Sequence, residues 1–220
     1  PEDATETSDL IKNADIAMYH AKASGRCNYQ FYTDELRADV ARRVTAEHEL
    51  TVALEKRQFV LHYQPQIELS SGRARGVEAL VRWQHPVHGT VLPGDFIALA
   101  EETRLIVPLG EWVLDEACRQ LRRWHDEGLH DLHVSINLST IQFQEKTLPE
   151  RIRHALEHFR LPAHCLHLEI TESMAMRNPA ENIVMMQALA DIGVKLAIDD
   201  FGTGYSSLAY LKLFPIDIIK

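Results

Sequence analysis

The 220-residue chain is 45% hydrophobic and 25% charged, a globular composition that excludes a disordered or low-complexity protein. Its net charge of -9 argues against binding of long nucleic acid, so metal ions or a few placed cations would have to hold any anionic ligand. Three cysteines without metal-ligand or disulfide spacing, and no membrane-length apolar run or signal peptide, predict a cytoplasmic location. The first residue is not Met, which indicates a piece of a longer protein in which an anchor or sensor can precede this part.

The first 57 residues predict two helices with a short strand between them. Apolar periodicity predicts a helix over residues 8–24 that Gly25 stops, and residues 29–32 are a candidate strand. A second, highly charged helical pattern covers residues 33–57, with Asp34 as the candidate cap. We interpret this second helix as a connector between domains.

Strand and helix patterns alternate from residue 59 onward, which predicts a parallel sheet with crossover helices, closed as a barrel or left open. The predicted strands cover residues 59–63, 76–83, 134–138, 166–170, 194–198 and 216–219. The predicted helices cover residues 95–103, 108–127, 148–160, 180–192 and 206–211.

Each predicted strand of this region ends in, or is closely followed by, polar side chains of metal- or phosphate-binding types. These residues are Gln64, Glu78, Arg82, Asn137, Glu169, Glu172, Asp199, Asp200 and Lys220. They converge only if the strands share one end, and a (β/α)8 barrel collects its chemistry at the C-terminal rim. An open sheet concentrates ligands at one switch point instead, so six contributing strands favour the barrel.

The adjacent carboxylates Asp199 and Asp200 interrupt an apolar strand, and two like charges held together favour a divalent cation as partner. A set of oxygen donors without Cys or His suits Mg2+ or Mn2+ rather than zinc. The candidate ligands are Glu78, Asn137, Glu169 and Asp199, with Asp200 able to reach a second ion. Two ions about 3.5–4 Å apart can activate a water and stabilise the leaving oxygen of a phosphodiester. Lys220 would orient the nucleophile or offset charge, and Arg82 would hold a phosphate.

Each of these residues also has a purely structural explanation. Glu78 can be a salt-bridged strand end, Glu169 and Glu172 can flank a solvated bend, and Asp199 with Asp200 can cap the next helix. The segment Asn137-Leu138-Ser139 can open a turn or cap a helix at residue 140. The common position at strand ends favours a site over these separate explanations.

Three further patterns do not predict chemistry. His154 and His158 have metal-pair spacing but lie opposite the apolar face of their helix, which predicts solvated side chains. The glycines after Asp200 lack the Gly-Lys-Ser/Thr that completes a phosphate-binding loop. Trp112 and Trp124 lie in a core-packing pattern.

Six ordered motifs resemble those of EAL domains, over about residues 45–220. They are Tyr63-Gln64-Pro65, Glu78-Ala79-Leu80-Val81-Arg82-Trp83, Asn137-Leu138-Ser139, Glu169-Ile170-Thr171-Glu172-Ser173, the segment from Asp199 to Leu208, and Pro215-Ile216-Asp217-Ile218-Ile219-Lys220. The resemblance implies a TIM-like (β/α)8 barrel whose first strand runs against the others, and hydrolysis of cyclic di-GMP to linear pGpG with two Mg2+ or Mn2+ ions.

The matching motifs also imply a role for each site residue. Metal roles would fall to Glu78, Asn137, Glu169, Asp199 and Asp200. Lys220 and Glu172 form the catalytic group, with Glu172 bracing the loop after Asp200, a loop linked to metal binding and to contacts in a homodimer. Gln64 and Arg82 would contact the substrate.

The N-terminal segment resembles the tail of a GGDEF domain, the diguanylate cyclase module. The matching residues are Ala14-Asp15-Ile16-Ala17-Met18-Tyr19, Ala21-Lys22-Ala23-Ser24-Gly25-Arg26 and Phe31-Tyr32. We therefore expect a GGDEF remnant over residues 1–33, a connector helix over 34–57 and the EAL domain over 45–220. The parent would be a tandem GGDEF-EAL protein with a sensor domain able to precede it.

An EAL barrel is expected to continue past Lys220 through two more strands that carry a further acidic residue, so we expect a barrel truncated after about six strands. No visible motif is degenerate, which predicts an active parent, while the missing barrel end predicts a fragment with impaired turnover. The alternatives are a non-catalytic cyclic di-GMP receptor or regulatory module, and an enzyme that cuts another small phosphodiester.

Overall fold

The computed structural model describes residues 6–23, 29–202 and 208–220. The chain divides into two compact units, Pro1–Val52 and Ala53–Lys220, so the boundary falls inside the second helix. The domain bounds expected from the sequence are not tested by this division and stay a prediction. The predicted stop at Gly25, and Cys27, lie outside the described residues.

The first unit contains helix α1 (Thr7–Ala23) and most of α2 (Asp34–Glu55). The predicted strand over residues 29–32 is wrong: this segment has no regular structure, and the rings of Tyr29 and Phe31 are largely exposed. The cap of α2 is also one residue earlier than predicted. The Thr33 hydroxyl accepts a hydrogen bond from the Leu36 amide at 3.1 Å, whereas Asp34 lies in the first turn, where its charge favours the helix dipole.

The second unit is built on a mixed sheet whose strands run in the order β1-β2-β4-β5-β6-β7, with β3 paired to β2. Its strands are β1 (Phe59–Glu68), β2 (Arg73–His85), β3 (Gly89–Val91), β4 (His133–Asn137), β5 (Leu166–Thr171), β6 (Lys195–Asp199) and β7 (Ile218–Ile219). The β1 strand is antiparallel to β2, and the β2-β4-β5-β6-β7 pairings are parallel. The sheet is open, with β1 and β7 at its two edges.

Helices alternate with these strands and bury their apolar faces. They are α3 (Ile97–Glu102), α4 (Ile106–Asp126), α5 (Thr140–Phe143), α6 (Leu148–Phe159), α7 (Glu172–Arg177), α8 (Pro179–Ala190) and α9 (Leu208–Leu211). The α4 helix shows the pattern most clearly, because Leu109, Val113, Ala117 and Leu121 recur at helical spacing and are all buried in the core. Among the described residues no helix combines the length and apolar character needed to cross a membrane.

The predicted α/β class and the six main strands are confirmed, and the antiparallel first strand agrees with the EAL resemblance. The sequence patterns missed β3, α5 and α7, which are three to six residues long and therefore too short to show a period. The predicted start of the last helix, at residue 206, lies outside the described part of the chain.

Gly76 allows β2 to approach the side chain of His133 on β4. A Cβ atom at position 76 would lie 2.0 Å from the His133 Nε2 atom. The His133 ring cannot move away freely, because it stacks on the His167 ring with 3.8 Å between centroids and contacts Gln66 Oε1 through Nε2 at 2.9 Å. A side chain at position 76 therefore displaces a packed, hydrogen-bonded ring.

We expect Gly76→Ala to lower the free energy of unfolding by about 1–3 kcal/mol, the usual cost of overpacking an interior. Urea denaturation followed by circular dichroism measures this. The matched control is Gly94→Ala, because a Cβ atom at position 94 meets no atom within 4 Å. Equal stability of the two variants would contradict the close approach.

Candidate functional site at the C-terminal edge of the sheet

Parallel pairing brings the ends of four strands to one edge of the sheet. Asn137 ends β4 and lies in register with Glu169 on β5, while Asp199 ends β6 in register with Thr171. Lys220 directly follows β7. Strand ends that come from distant parts of the sequence therefore share one surface, as the distribution of polar residues predicted.

A four-residue cluster joins β2, β4, β5 and the end of β7. The Lys220 Nζ atom donates to Glu169 Oε1 and lies 3.4 Å from Glu78 Oε2. The other oxygen of Glu78, Oε1, accepts from Asn137 Nδ2 at 2.8 Å. We call Glu78, Asn137, Glu169 and Lys220 the edge cluster.

Glu169 is the most constrained member of the edge cluster. The residue is only 1% exposed, and its Oε2 atom is buried without a hydrogen-bond partner among the described residues. Burial raises the pKa of this carboxyl above its usual value, although Lys220 and Ser135 act to lower it. A buried carboxylate oxygen without a donor is unfavourable unless a cation or a proton compensates it, so the residues present fit a divalent cation beside Glu169.

Lys220 is held in place by its backbone as well as by its side chain. Its amide donates to the Ile198 carbonyl at 2.8 Å, and its carbonyl accepts from the Phe201 amide at 3.1 Å. Burial alone would lower the pKa of Lys220, but the hydrogen bond and charge of Glu169, together with Glu78, raise it overall. The side chain is therefore a fixed cation in the edge cluster.

The two adjacent carboxylates are separated by a sharp change of backbone direction. Asp199 is the last residue of β6, and its Oδ1 atom accepts from the Asp200 amide at 3.0 Å. Asp200 has φ of 55°, the left-handed region that Asp tolerates better than most residues. The alternative that Asp199 and Asp200 cap the following helix stays a prediction, because the predicted start of that helix, at residue 206, lies outside the described residues.

Glu172 begins α7 three residues after Glu169, and it is also only 1% exposed. Its Oε2 atom accepts from the Gly202 amide at 2.6 Å, the contact that a bracing role toward this loop requires. The alternative of a solvated bend at Glu169 and Glu172 is wrong, because both side chains are buried. Residues 203–207, where the predicted dimer contact continues, lie outside the described part of the chain.

The two predicted substrate contacts lie at the same edge but outside the hydrogen bonds of the edge cluster. Gln64 on β1 is exposed and pairs in register with Glu78. Arg82 is on β2, four residues after Glu78, and its Nη1 atom donates to the Val81 carbonyl at 2.8 Å. Residues separated by two or four positions along a strand lie on the same face of the sheet, so Arg82 lies on the same face as Glu78.

A capping box holds the loop that follows Asn137. The Ser139 hydroxyl accepts from the Gln142 amide, and Gln142 Oε1 accepts from the Ser139 amide, at 3.2 and 3.1 Å. The helix cap that the sequence offered as an alternative is therefore present, and Asn137 nevertheless also belongs to the edge cluster. Gln142 also lies against α4, where a Cβ atom at Gly110 would come within 1.6 Å of its Nε2 atom.

The sequence analysis missed the polar residues beneath the edge cluster, which are Gln66, His133, Ser135 and His167. A signal was available in β4, where polar residues recur at every second position, at 133, 135 and 137. Three of the five residues of β4 are therefore polar and lie on one face of the strand. The remaining candidates behave as predicted: His154 and His158 are exposed on α6, and Trp112 and Trp124 pack against the core.

No three His, Cys, Asp or Glu side chains of the described residues come together as a metal-binding group. In this structure the edge cluster is instead closed by Lys220, which contacts both Glu78 and Glu169. The predicted ligand roles, including those of Asp199 and Asp200, therefore stay proposals.

Parallel strands that follow an antiparallel first strand, with acidic side chains at their C-terminal edge, are consistent with a TIM-like α/β fold whose sheet is not closed in this chain. The chain belongs to the EAL domain family, because the family profile described as the EAL domain matches residues 47–220.

Curated relatives match along the whole chain. It is 49% identical over 221 residues to the bifunctional diguanylate cyclase/cyclic di-GMP phosphodiesterase MucR of Pseudomonas aeruginosa, and the match covers 100% of this chain and 32% of MucR. It is 43% identical to the cyclic di-GMP phosphodiesterase NbdA of the same organism, covering 100% of this chain and 28% of NbdA. The chain thus spans about a third of the length of these relatives, or less.

Solved structures share the fold. A structure titled PaMucR phosphodiesterase, c-di-GMP complex, superposes with a TM-score of 0.78 at 51% identity, covering 80% of this chain and 71% of that one. The EAL enzyme Bd1971, in its form bound to cAMP and cyclic di-GMP, gives 0.78 at 28% identity, covering 99% and 57% of the two chains. These matches confirm the TIM-like EAL fold.

We expect Lys220→Met to lower the free energy of unfolding by about 3 kcal/mol at pH 7 in metal-free buffer, because it leaves the buried Glu169 carboxylate without its cation. Lys195→Met is the matched control, since Lys195 pairs with Asp217 at 2.6 Å in a more exposed position, and it should cost less than about 1 kcal/mol. Chemical denaturation measures both. Indistinguishable losses would show that the Lys220 pair contributes no more than an exposed one.

Proposed function

We propose that this chain carries a metal-dependent phosphodiesterase site that hydrolyses cyclic di-GMP to linear pGpG. The observation that carries the proposal is the edge cluster, with its buried Glu169 oxygen and its fixed cation at the C-terminal edge of the sheet. Relatives named as cyclic di-GMP phosphodiesterases, and a 51% identical structure in complex with c-di-GMP, support the choice of substrate.

Oxygen donors at this edge would hold two divalent cations, Mg2+ or Mn2+, with Glu78, Asn137, Glu169 and Asp199 at the first and Asp200 at the second. When bound, such ions supply an activated water and stabilise the leaving oxygen of the phosphodiester. The absence of sulfur and imidazole from the set supports these hard cations over zinc.

The chain's own residues would do the remaining work. Lys220 would offset negative charge on the reacting phosphate through its Nζ atom, which already lies between two carboxylates. Arg82 would bind a phosphate with its planar guanidinium, and Gln64 would orient the ligand from β1. Glu172 would fix the loop after Asp200 through the Gly202 amide.

The same proposal extends to the assembly. We infer a homodimer formed through the loop after Asp200 and a cytoplasmic location, within a parent that also carries a GGDEF domain and an upstream sensor. Support for the tandem arrangement comes from the motif resemblance in residues 14–32 and from the bifunctional name of MucR.

A second candidate is a receptor that binds cyclic di-GMP without hydrolysis. The contact of Lys220 with both Glu78 and Glu169 favours it, because these carboxylates are then already neutralised by a protein cation. In that case binding would persist without added metal and no pGpG would form.

Incubation of the purified parent protein with cyclic di-GMP and Mg2+ or Mn2+, followed by chromatography of pGpG, distinguishes the two candidates. We expect turnover that Glu169→Gln lowers at least about 100-fold, since it removes a charged ligand worth several kcal/mol of transition-state stabilisation. Glu150→Gln, an exposed position on α6, should leave turnover unchanged.

Binding of cyclic di-GMP without turnover by the unmutated protein would support the receptor instead. Competition by other small phosphodiesters in the same assay tests the choice of substrate.

A further inference from the structure

The strand that brings Lys220 to the edge cluster is short. β7 contains only Ile218 and Ile219, and it lies at an edge of the sheet, where β6 is its partner. Two ladder positions give little resistance to local opening, which is easiest where few buried contacts hold a segment. The place of the Lys220 side chain beside Glu78 and Glu169 therefore depends on contacts outside the ladder.

Asp217 directly precedes β7 and bonds to both main-chain groups of Leu196 on β6. Its amide donates to the Leu196 carbonyl at 2.9 Å, and its Oδ2 atom accepts from the Leu196 amide at 3.0 Å. Its other carboxylate oxygen, Oδ1, accepts from Lys195 Nζ at 2.6 Å. Asp217 thus joins the start of β7 to two consecutive residues of β6.

The hydrogen bond from the Leu196 amide is a stronger constraint than the ion pair with Lys195. Leu196 is fully buried, so water cannot replace the carboxylate as acceptor, and a buried amide without an acceptor is unfavourable. The Lys195 and Asp217 side chains are 43% and 33% exposed, and ion pairs at such positions contribute little to stability. The Asp217 carboxylate is therefore fixed mainly by the backbone of β6.

The anchor at Asp217 sets the register of β7 on β6. From this point the two strands run parallel, and the pairing ends where the Lys220 amide donates to the Ile198 carbonyl at 2.8 Å. A shift of β7 by one residue would turn each of its side chains to the opposite face of the sheet. Lys220 would then point away from Glu78 and Glu169, and the buried Glu169 carboxylate would lose its cation.

A role confined to protecting the sheet edge explains less. A charged side chain that discourages edge-to-edge pairing needs only to face solvent. Asp217 instead turns its carboxylate back onto β6, where it accepts from Leu196 and Lys195. Both contacts act on the position of β7, three residues before Lys220.

We propose that Asp217 is a positioning residue for Lys220: by holding the start of β7 against Leu196, its carboxylate fixes the register that places Lys220 Nζ in contact with Glu78 and Glu169. The inference rests on the proposed function only in taking Lys220 to act on the substrate. The contacts of Lys220 with the two carboxylates belong to the structure itself.

The first test is a cycle of unfolding free energies for the 220-residue chain in metal-free buffer, with Asp217→Ala, Lys220→Met and the variant that carries both changes. We expect the loss in the double variant to be smaller than the sum of the two single losses, because Asp217→Ala already displaces Lys220 from its carboxylates. Lys195→Met is the matched control: it removes the ion pair and keeps the Leu196 contact, so its loss should add to that of Lys220→Met. Additive losses for Asp217→Ala and Lys220→Met would overturn the proposal.

The second test measures the Lys220 amine directly, by limited acetylation of the folded chain with acetic anhydride and mass spectrometry of its peptides. Exposed Lys212 is the internal reference. We expect Asp217→Ala to raise the labelling of Lys220 relative to Lys212 at least about threefold, because local opening frees the amine from its ion pairs. Asp217→Asn, which keeps an oxygen acceptor for the Leu196 amide, and Lys195→Met should each stay within about twofold of the unmutated chain.

Asp217→Glu keeps the charge and moves the carboxylate by one methylene, so it should also raise the labelling of Lys220 and serves where Asp217→Ala does not fold. Unchanged labelling of Lys220 in the folded variants that remove or displace this carboxylate would overturn the proposal.

Hydrolysis of cyclic di-GMP by the parent protein separates this inference from the proposed function. We expect Asp217→Ala to lower turnover at least about 10-fold, since displacement of a catalytic group by about 1 Å is costly, and Asp217→Asn to restore most of it. Turnover by Asp217→Ala equal to that of the unmutated parent would overturn the proposal. Absence of turnover in the unmutated parent, together with non-additive unfolding and raised labelling of Lys220, would contradict the proposed function alone.

Discussion

Burial of the Glu169 carboxylate is the constraint on which the site depends. A charge in the interior is tolerated only with partners, and the chain supplies Lys220 to one oxygen while the other has no donor among the described residues. Because the partner follows β7, more than fifty residues along the chain, the sheet has to form before the charge is compensated. Fold and site are therefore coupled through one ion pair.

The parallel sheet explains why single residues from distant motifs act together. Each strand brings only one or two polar side chains to the edge, and the register sets which of them are neighbours, as with Asn137 and Glu169. The apolar helices hold this register from outside, through the core that α4 and α6 form against the strands.

Much of this arrangement could be predicted from the sequence. Alternation of strand and helix patterns indicated the α/β class, and polar residues at or near strand ends indicated Asn137, Glu169 and Lys220, because both signals repeat along the chain. Glu78 was expected at a strand end but lies in the middle of β2. The EAL motifs then assigned roles that spacing alone left open.

The remainder depended on information that no local pattern carries. That Lys220 contacts two carboxylates follows from the tertiary register of β7, and the short helices α5 and α7 end before a helical period is visible. The hydrogen bond from Gln66 on β1 to Ser135 on β4 likewise joins two strands that are far apart in sequence. The prediction of a strand at residues 29–32 was wrong because it relied on local propensity alone. The aromatic residues there favour strands, but the segment pairs with no neighbouring strand.

The close approach of Gly110 to Gln142 gives the outer layer a direct connection to the edge. Gln142 caps the turn after Asn137, so its amide is held by α4 on one side and by Ser139 on the other. A residue larger than glycine at position 110 would therefore displace the amide that caps this turn, although neither Gly110 nor Gln142 belongs to the edge cluster. The identity of one residue on an outer helix thus limits which conformations are open to the segment that follows Asn137.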